Sequence, residues 1–222
     1  MRKKILLKAP ILTRSGYGEQ SRFALRTLRS RPDLFDIYIQ PLQWGKTSWV
    51  KEDTEEFEFI DQCIKKTIGF IKGGGQFDIS LQVTIPNEFQ NLASKNVGYT
   101  AGIETTKVAH QWLQKCNEMD KIIVISSHSK KIFEDTKFEG VIEATGEKVE
   151  LANQVDIDFV NYPVKTYDNK PEIDLSDIKT GYNFLCVAQF GPRKNIPSLI
   201  KSFVEEFQNE EVGLVIKTFR AR

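Results

Sequence analysis

Two glycine-containing turns carry the residue types that bind phosphate. Residues 16–18 (GYG) follow an apolar segment and precede a helical pattern, and residues 191–195 (GPRKN) stand at the equivalent place near the other end of the chain. Backbone N–H groups at the start of a helix favour an anion. A charge-assisted hydrogen bond contributes about 1.5 to 3 kcal/mol, against about 0.3 to 1 kcal/mol for a helix end, so Arg193 and Lys194 should dominate the binding of a diphosphate. The plainer interpretations are a tight turn and a solvated basic loop.

The first turn does not complete the pattern of a dinucleotide-binding protein. Ser21 stands at the third glycine position of that pattern, and Gln40 lies near the end of the second predicted strand, where an acidic residue should bind the ribose. These two departures disfavour NAD and count against an NAD-dependent nucleotide-sugar enzyme.

A glutamate and a histidine are candidates for acid–base chemistry. Glu104 follows a predicted strand, and His110 begins the next helical pattern. Both should lie near the carboxyl edge of the sheet if that strand is parallel, and histidine titrates near neutral pH. The other histidine, His128, lies in a serine-rich segment better explained by helix capping. A hydrogen-bonded surface group is the plainer interpretation of either histidine.

Charge and cysteine content bound the partners and the compartment. Against 31 basic residues the chain has 30 acidic ones, a net charge of +1, so it lacks the positive field on which nucleic-acid binding usually depends. Arg22, Arg26 and Arg29 form a stripe on a predicted helix, for which we favour a solvated face over contact with an anionic membrane.

Three separated cysteines predict neither a disulfide framework nor a zinc site. We expect a cytoplasmic protein, with peripheral contact at the inner face of the membrane left open.

The elements that must position these residues alternate along the chain. Short apolar segments are followed by patterns with apolar residues at helical spacing, which predicts parallel strands joined by helices. The expected fold class is therefore α/β, a Rossmann-like doubly wound parallel sheet. The strands are predicted at 5–12, 37–42, 78–85, 96–100, 121–125 and 156–162, helices at 19–30, 55–72, around 108–116 and at 130–135, and a turn or hairpin at 138–149.

The length of 222 residues exceeds one domain of about 150 residues. The expected division is a Rossmann-like domain over 1–166, a Pro- and Asp-rich linker over 167–180, and a second Rossmann-like unit over 181–222. A parallel sheet with two strands leaves an open edge and an uncovered face, so we expect the second domain to be truncated.

Four segments carry a family resemblance. They are SGYG, VGYTAGIETTKVAHQW, MDKIIVISSHSKKIFE and FLCVAQFGPRKNIPSLIKSFVEEF. Taken in this order they resemble the retaining family 4 glycosyltransferases of the GT-B fold. The resemblance covers most of the chain and is strongest over 96–133 and 182–218. It implies an amino-terminal acceptor domain and a carboxyl-terminal domain for a nucleotide sugar.

The resemblance also implies roles for particular residues. Gly16 would approach the donor diphosphate, which Arg193 and Lys194 would neutralise, and no metal or other cofactor would be needed. Glu104 would orient an acceptor hydroxyl, with His110 as the second candidate. The chain departs from the family pattern at residues 188–190 (AQF), where an arginine is often found, and it does not contain the later glutamate-rich motif.

Two hypotheses of different classes follow. In the first, the intact protein transfers a sugar from a nucleoside diphosphate sugar to a hydroxyl of a glycan, lipid-linked or protein acceptor with retention, and this chain alone has negligible activity. In the second, the chain is a non-catalytic Rossmann-like module that binds a glycan or a partner protein. A response to nucleoside diphosphates would separate the two.

Overall fold

The structure, a computed structural model, describes residues 1–45, 47–141, 146–164, 166 and 172–218. The chain divides into two compact units, one formed by 1–45 with 49–164 and the other by 46–48 with 165–222. Residues 167–171 of the predicted linker and 142–145 of the predicted hairpin lie outside the described residues.

The first unit is built on a parallel sheet. Its strands are β1 (Lys3–Ala9), β2 (Phe35–Pro41), β3 (Phe77–Val83), β4 (Ala93–Tyr99), β5 (Lys121–Val124), β6 (Phe138–Val141), β7 (Lys148–Leu151) and β8 (Ile157–Phe159), and its helices are α1 (Gly16–Arg29), α2 (Glu55–Lys72), α3 (His110–Asn117) and α4 (Ser127–Asp135). Within the described residues, six of these strands form one sheet in the order β2-β1-β3-β4-β5-β8, and every neighbouring pair is parallel. The predicted Rossmann-like α/β fold is confirmed. The remaining strands, β6 and β7, form an antiparallel hairpin.

One face of this sheet supplies the main apolar core. Alternate residues of β1, namely Ile5, Leu7 and Ala9, lie in it beside Ile37 and Ile39 of β2. Ala24, Leu25 and Leu28 of α1 pack in the same cluster. Leu7 and Leu25 are both 0% exposed, and burying a side chain of this size contributes about 1.5 to 3 kcal/mol.

Helix α2 covers the free edge of β2. Thr54 caps its first turn by accepting a hydrogen bond from the Phe57 backbone N–H, and Gly73 ends it. The Thr67 hydroxyl oxygen accepts the backbone N–H of Ile39 at 2.8 Å, so a donor of the edge strand is satisfied by a side chain. At Ile39 the edge strand therefore does not offer its N–H group to another chain.

The second unit contains one strand–helix–strand motif. Its elements are β9 (Tyr182–Val187), α5 (Ile196–Phe207) and β10 (Val212–Lys217), and β9 and β10 are parallel. Phe184 of β9 packs its ring against Phe203 and Phe207 of α5, with centroids 5.9 Å and 5.2 Å away. In the described part of the chain, no helix is long and apolar enough to cross a membrane.

Candidate functional site

The strand order of the first unit locates its best ligand-binding position. β1 lies between β2 and β3, so the connections leaving β1 and β3 diverge at the carboxyl edge. Open parallel sheets bind ligands outside the carboxyl ends of their strands at such a reversal. The start of α1 lies at this place because α1 directly follows β1.

The two glycines at the start of α1 have different structural roles. Ser15 caps the helix, its hydroxyl oxygen accepting the Gly18 N–H at 2.9 Å. A Cβ atom at Gly18 would lie 2.1 Å from the Thr13 carbonyl oxygen, whereas a Cβ at Gly16 would have no atom within 4 Å. The packing therefore requires glycine at 18 only. At Gly16 the backbone is open to a ligand.

The arginine stripe on α1 is engaged inside the unit. Arg22 is 7% exposed, and its guanidinium donates to the carbonyl oxygens of Ile11 and Thr13 at 2.8 Å and 3.2 Å. Arg26 forms a bidentate pair with Glu56 of α2 at 2.6 and 2.7 Å, and Arg29 lies 4.4 Å above the Phe59 ring. The prediction of a solvated arginine face is therefore wrong. Arg22 instead fixes the loop that leads from β1 into α1.

Tyr17 joins the start of α1 to the end of β4. Its hydroxyl lies 2.9 Å from the Thr100 hydroxyl and accepts the Ala101 backbone N–H at 3.0 Å. Its ring centroid is 4.4 Å from that of Trp44. Burial raises the pKa of Tyr17, so the phenol is neutral near pH 7. This contact places the loop that carries Glu104 beside the first glycine turn.

Two further tyrosines line the same edge. The Tyr162 hydroxyl donates to the Gln20 side-chain oxygen at 3.4 Å, and Tyr99 is 8% exposed. The pKa of Tyr162 is raised to about 12, mainly by burial and further by the nearby Tyr17 and Tyr99. Tyr99 packs in the apolar core, whereas Tyr162 is 45% exposed, so of these two phenols only that of Tyr162 is open to a ligand.

A carboxylate at this edge, that of Glu88, was not predicted from the sequence. It belongs to a 3₁₀ turn, Pro86–Glu88, directly after β3, and its Oε2 atom accepts the Thr84 hydroxyl at 2.5 Å. The signal was present, since the carboxyl ends of parallel strands meet at one edge, and the segment TIPNE follows β3 as the segment with Glu104 follows β4. Glu88 is exposed, which leaves its carboxylate open to a ligand.

A buried lysine supports the Glu88 segment from within the fold. Lys8 of β1 is 5% exposed, and its ammonium donates to the Glu88 carbonyl oxygen at 3.0 Å and to the Gln90 side-chain oxygen at 2.9 Å. Burial lowers the pKa of Lys8, and the Glu88 carboxylate acts in the opposite direction. The Gln82 side-chain oxygen accepts the Gln90 backbone N–H at 3.0 Å. These bonds fasten the segment to the second face of the sheet.

The predicted acid–base residues lie on the loop after β4. Both Glu104 and His110 are exposed, and β4 is parallel to its neighbours, as their expected position requires. His110 is the first residue of α3, and its ring lies edge-on to the Phe138 ring of β6, with centroids 6.0 Å apart. The Lys107 ammonium lies over the Phe138 ring, 4.2 Å from its centroid. The structure thus places His110 against the hairpin, and the chemical roles of both residues stay predictions.

The basic loop of the second unit lies at the carboxyl end of β9. Arg193 and Lys194 belong to the 3₁₀ turn Pro192–Lys194 and are both exposed. Asn195 follows in the left-handed region, with a φ of 47°. A cavity of about 660 Å³ opens beside this turn, lined by Phe190, Gly191, Pro192, Asn195, Pro197 and Thr218. Asparagine is one of the few non-glycine residues that adopt this region routinely, so the turn ends beside the cavity without a glycine.

Two further properties bear on this site: the clustering of metal-binding side chains and the similarity of the chain to other proteins. Among the residues that the structure describes, no group of three or more His, Cys, Asp or Glu side chains could hold a metal ion. Comparison of the chain with protein-family models, with curated proteins and with solved structures gave no match.

Proposed function

We propose that the protein is a retaining glycosyltransferase that moves a sugar from a nucleoside diphosphate sugar to an acceptor hydroxyl. The observation that supports this most is the different chemistry of the two carboxyl edges. The edge of the first unit carries the phenols of Tyr17 and Tyr162 and the Glu88 carboxylate, whereas the basic turn of the second unit carries Arg193 and Lys194. An acceptor needs the first set of groups, and a diphosphate needs the second.

The acceptor would bind at the first edge. Aromatic rings cover the apolar faces of a sugar or lipid-linked acceptor, and hydroxyl groups exchange hydrogen bonds with it. Glu88, fixed by Thr84, would accept a hydrogen bond from the reacting hydroxyl and orient it. Glu104 is the second candidate for this role, and His110 the third. Holding two reactants in register lowers the entropic part of the barrier.

The donor diphosphate would bind at the second edge. Departure of the diphosphate is the demanding step, because negative charge develops on its oxygens. Arg193 and Lys194 would stabilise that charge together with the backbone N–H groups at the start of α5. Two cations and a helix end supply this stabilisation without a metal, so the proposal includes none.

Calorimetric titration with UDP, GDP and ADP, and separately with mono- and disaccharides, tests this proposal. We expect one nucleoside diphosphate and at least one sugar to bind the same chain. A chain that binds none of the three diphosphates contradicts the donor assignment and with it the transferase.

One observation favours a second candidate, a glycan-binding module without catalysis. The first edge presents mostly aromatic rings and neutral hydroxyl groups, which bind sugars without any reaction. This candidate predicts a calorimetric response to sugars and none to the three diphosphates.

A further inference from the structure

Helix α2 carries an apolar stripe that the fold covers only in part. Phe57, Ile60, Ile64, Ile68 and Ile71 fall within about 80° of one another around the helix, at 3.6 residues per turn. Ile60 is 0% exposed, whereas Ile68 and Ile71 are each 51% exposed. The stripe is therefore buried near its start and exposed to solvent near its end.

An open groove borders the covered half of the stripe. It has a volume of about 500 Å³, and its apolar lining includes Leu12, Trp49, Phe57, Ile60 and Ile64. The segment with Trp49 is tied to the loop after β1, since the Val50 N–H donates to the Leu12 carbonyl oxygen at 2.7 Å. Trp49 is itself 60% exposed. One half of α2 thus offers a groove, and the other half offers two projecting isoleucines.

We propose that a second copy of this chain covers the stripe, with the two α2 helices antiparallel about a two-fold axis at Ile64. Ile60 and Ile68 each lie four residues from Ile64, and Phe57 and Ile71 each lie seven residues from it. An antiparallel pair therefore sets Ile68 and Ile71 of each copy beside the groove of the other. Such an interface is isologous, the commonest arrangement in dimers.

The charges beside the stripe favour this occupant. Glu58 lies near the start of α2 and Lys72 at its end, and within the described residues neither forms an ion pair. In the antiparallel arrangement Glu58 of one copy lies about 3 Å along the helix axis from Lys72 of the other. Asp61 and Lys65 flank the stripe closer to the axis and pair within the helix at 2.6 Å.

Other occupants fit this charge pattern less well. A parallel pair of helices would set like charges opposite each other. An anionic membrane would meet the carboxylates of Glu52, Asp53 and Glu58 at the groove. A basic protein segment would match only the acidic half of α2.

Sedimentation velocity of the full chain over a range of concentrations tests the dimer. We expect a monomer–dimer equilibrium that Ile68→Asp and Ile71→Asp each weaken by more than about tenfold. Val141→Asp is the matched control, because Val141 is also apolar and is 57% exposed on β6. Circular dichroism checks that each variant is folded. A wild-type chain that stays monomeric overturns the proposal, and so does an undiminished dimer of Ile68→Asp.

Charge exchange and cross-linking test the antiparallel register. Glu58→Lys and Lys72→Glu should each weaken the dimer, and the double variant should restore it. Ile64→Cys should form a disulfide between copies on mild oxidation, because a disulfide needs Cα atoms closer than about 7 Å. Ile71→Cys should not, since two copies of residue 71 lie about 21 Å apart along the axis. Cross-linking of Ile71→Cys without that of Ile64→Cys would overturn the register.

Discussion

The two glycine turns occupy the same place in their topologies but are built from different interactions. Each follows a parallel strand and precedes a helix, α1 in the first unit and α5 in the second. The first is fixed by buried groups, including the Ser15 cap and the Arg22 guanidinium, while the second exposes its Arg193 and Lys194 side chains. Substitutions of the buried groups of the first turn should therefore change stability, and those of Arg193 and Lys194 at the second should change anion binding alone.

Gly18→Ala should have the largest effect. The new Cβ would meet the Thr13 carbonyl oxygen, a backbone atom, at 2.1 Å, so the loop or the helix must shift. We expect the free energy of unfolding in urea to fall by about 3 kcal/mol or more. Gly16→Ala is the control and should change it by less than about 0.5 kcal/mol, because that position is open. Equal losses in the two variants would contradict the separate roles of these glycines.

Lys194→Ala should separate binding from stability at the second turn. Losing one charge-assisted hydrogen bond weakens binding of the nucleoside diphosphate by about 1.5 to 3 kcal/mol, or about 10- to 150-fold. The free energy of unfolding should stay unchanged because the side chain is exposed. Calorimetry measures the first quantity and urea unfolding the second. Lys201→Ala, on the exposed side of α5, is the control, and an equal loss of affinity there would show that only general charge matters.

Tyr17→Phe should have a smaller effect that is confined to the first unit. It removes the hydroxyl that bonds Thr100 and accepts the Ala101 N–H. We expect a loss of about 0.5 to 1.5 kcal/mol in the free energy of unfolding. Tyr182→Phe, at a position 61% exposed on β9, should cause no measurable loss. If both variants lose the same stability, the contact between α1 and β4 does not stabilise the unit.

Alkaline pH should lower the stability of the first unit by ionising Tyr162, and we expect this to be the smallest of the four effects. The pKa of Tyr162 is raised from 10.0 to about 12, chiefly by burial, so the folded state favours the neutral phenol. Its contribution to stability is therefore complete below pH 10 and is lost as the pH rises through about 12. Phenolate absorbance should show a late ionisation step that Tyr162→Phe removes. Persistence of that step in the variant would assign it to another tyrosine.

Local patterns predicted much of the fold. The apolar spacing from Phe57 to Ile71 predicted a helix over 55–72, the bounds that α2 has. Helix α1 begins three residues earlier than predicted because Ser15 caps it at Gly16. The polar second face of the sheet was not predicted, since Lys8 and Gln82 are buried only because the segment after β3 folds back over them. Glu88 was missed for the same reason.

The sequence by itself determined the alternation of strands and helices, the sharp turns and the basic character of residues 193–194, because each depends on neighbours within a few residues. Only the tertiary structure decided which distant groups meet. Tyr17 and Thr100 are 83 residues apart in the chain and hydrogen-bonded in space, and Lys8 supports a segment 80 residues away. Such pairs follow from the order of strands in the sheet, and hydrophobic periodicity carries no information about that order.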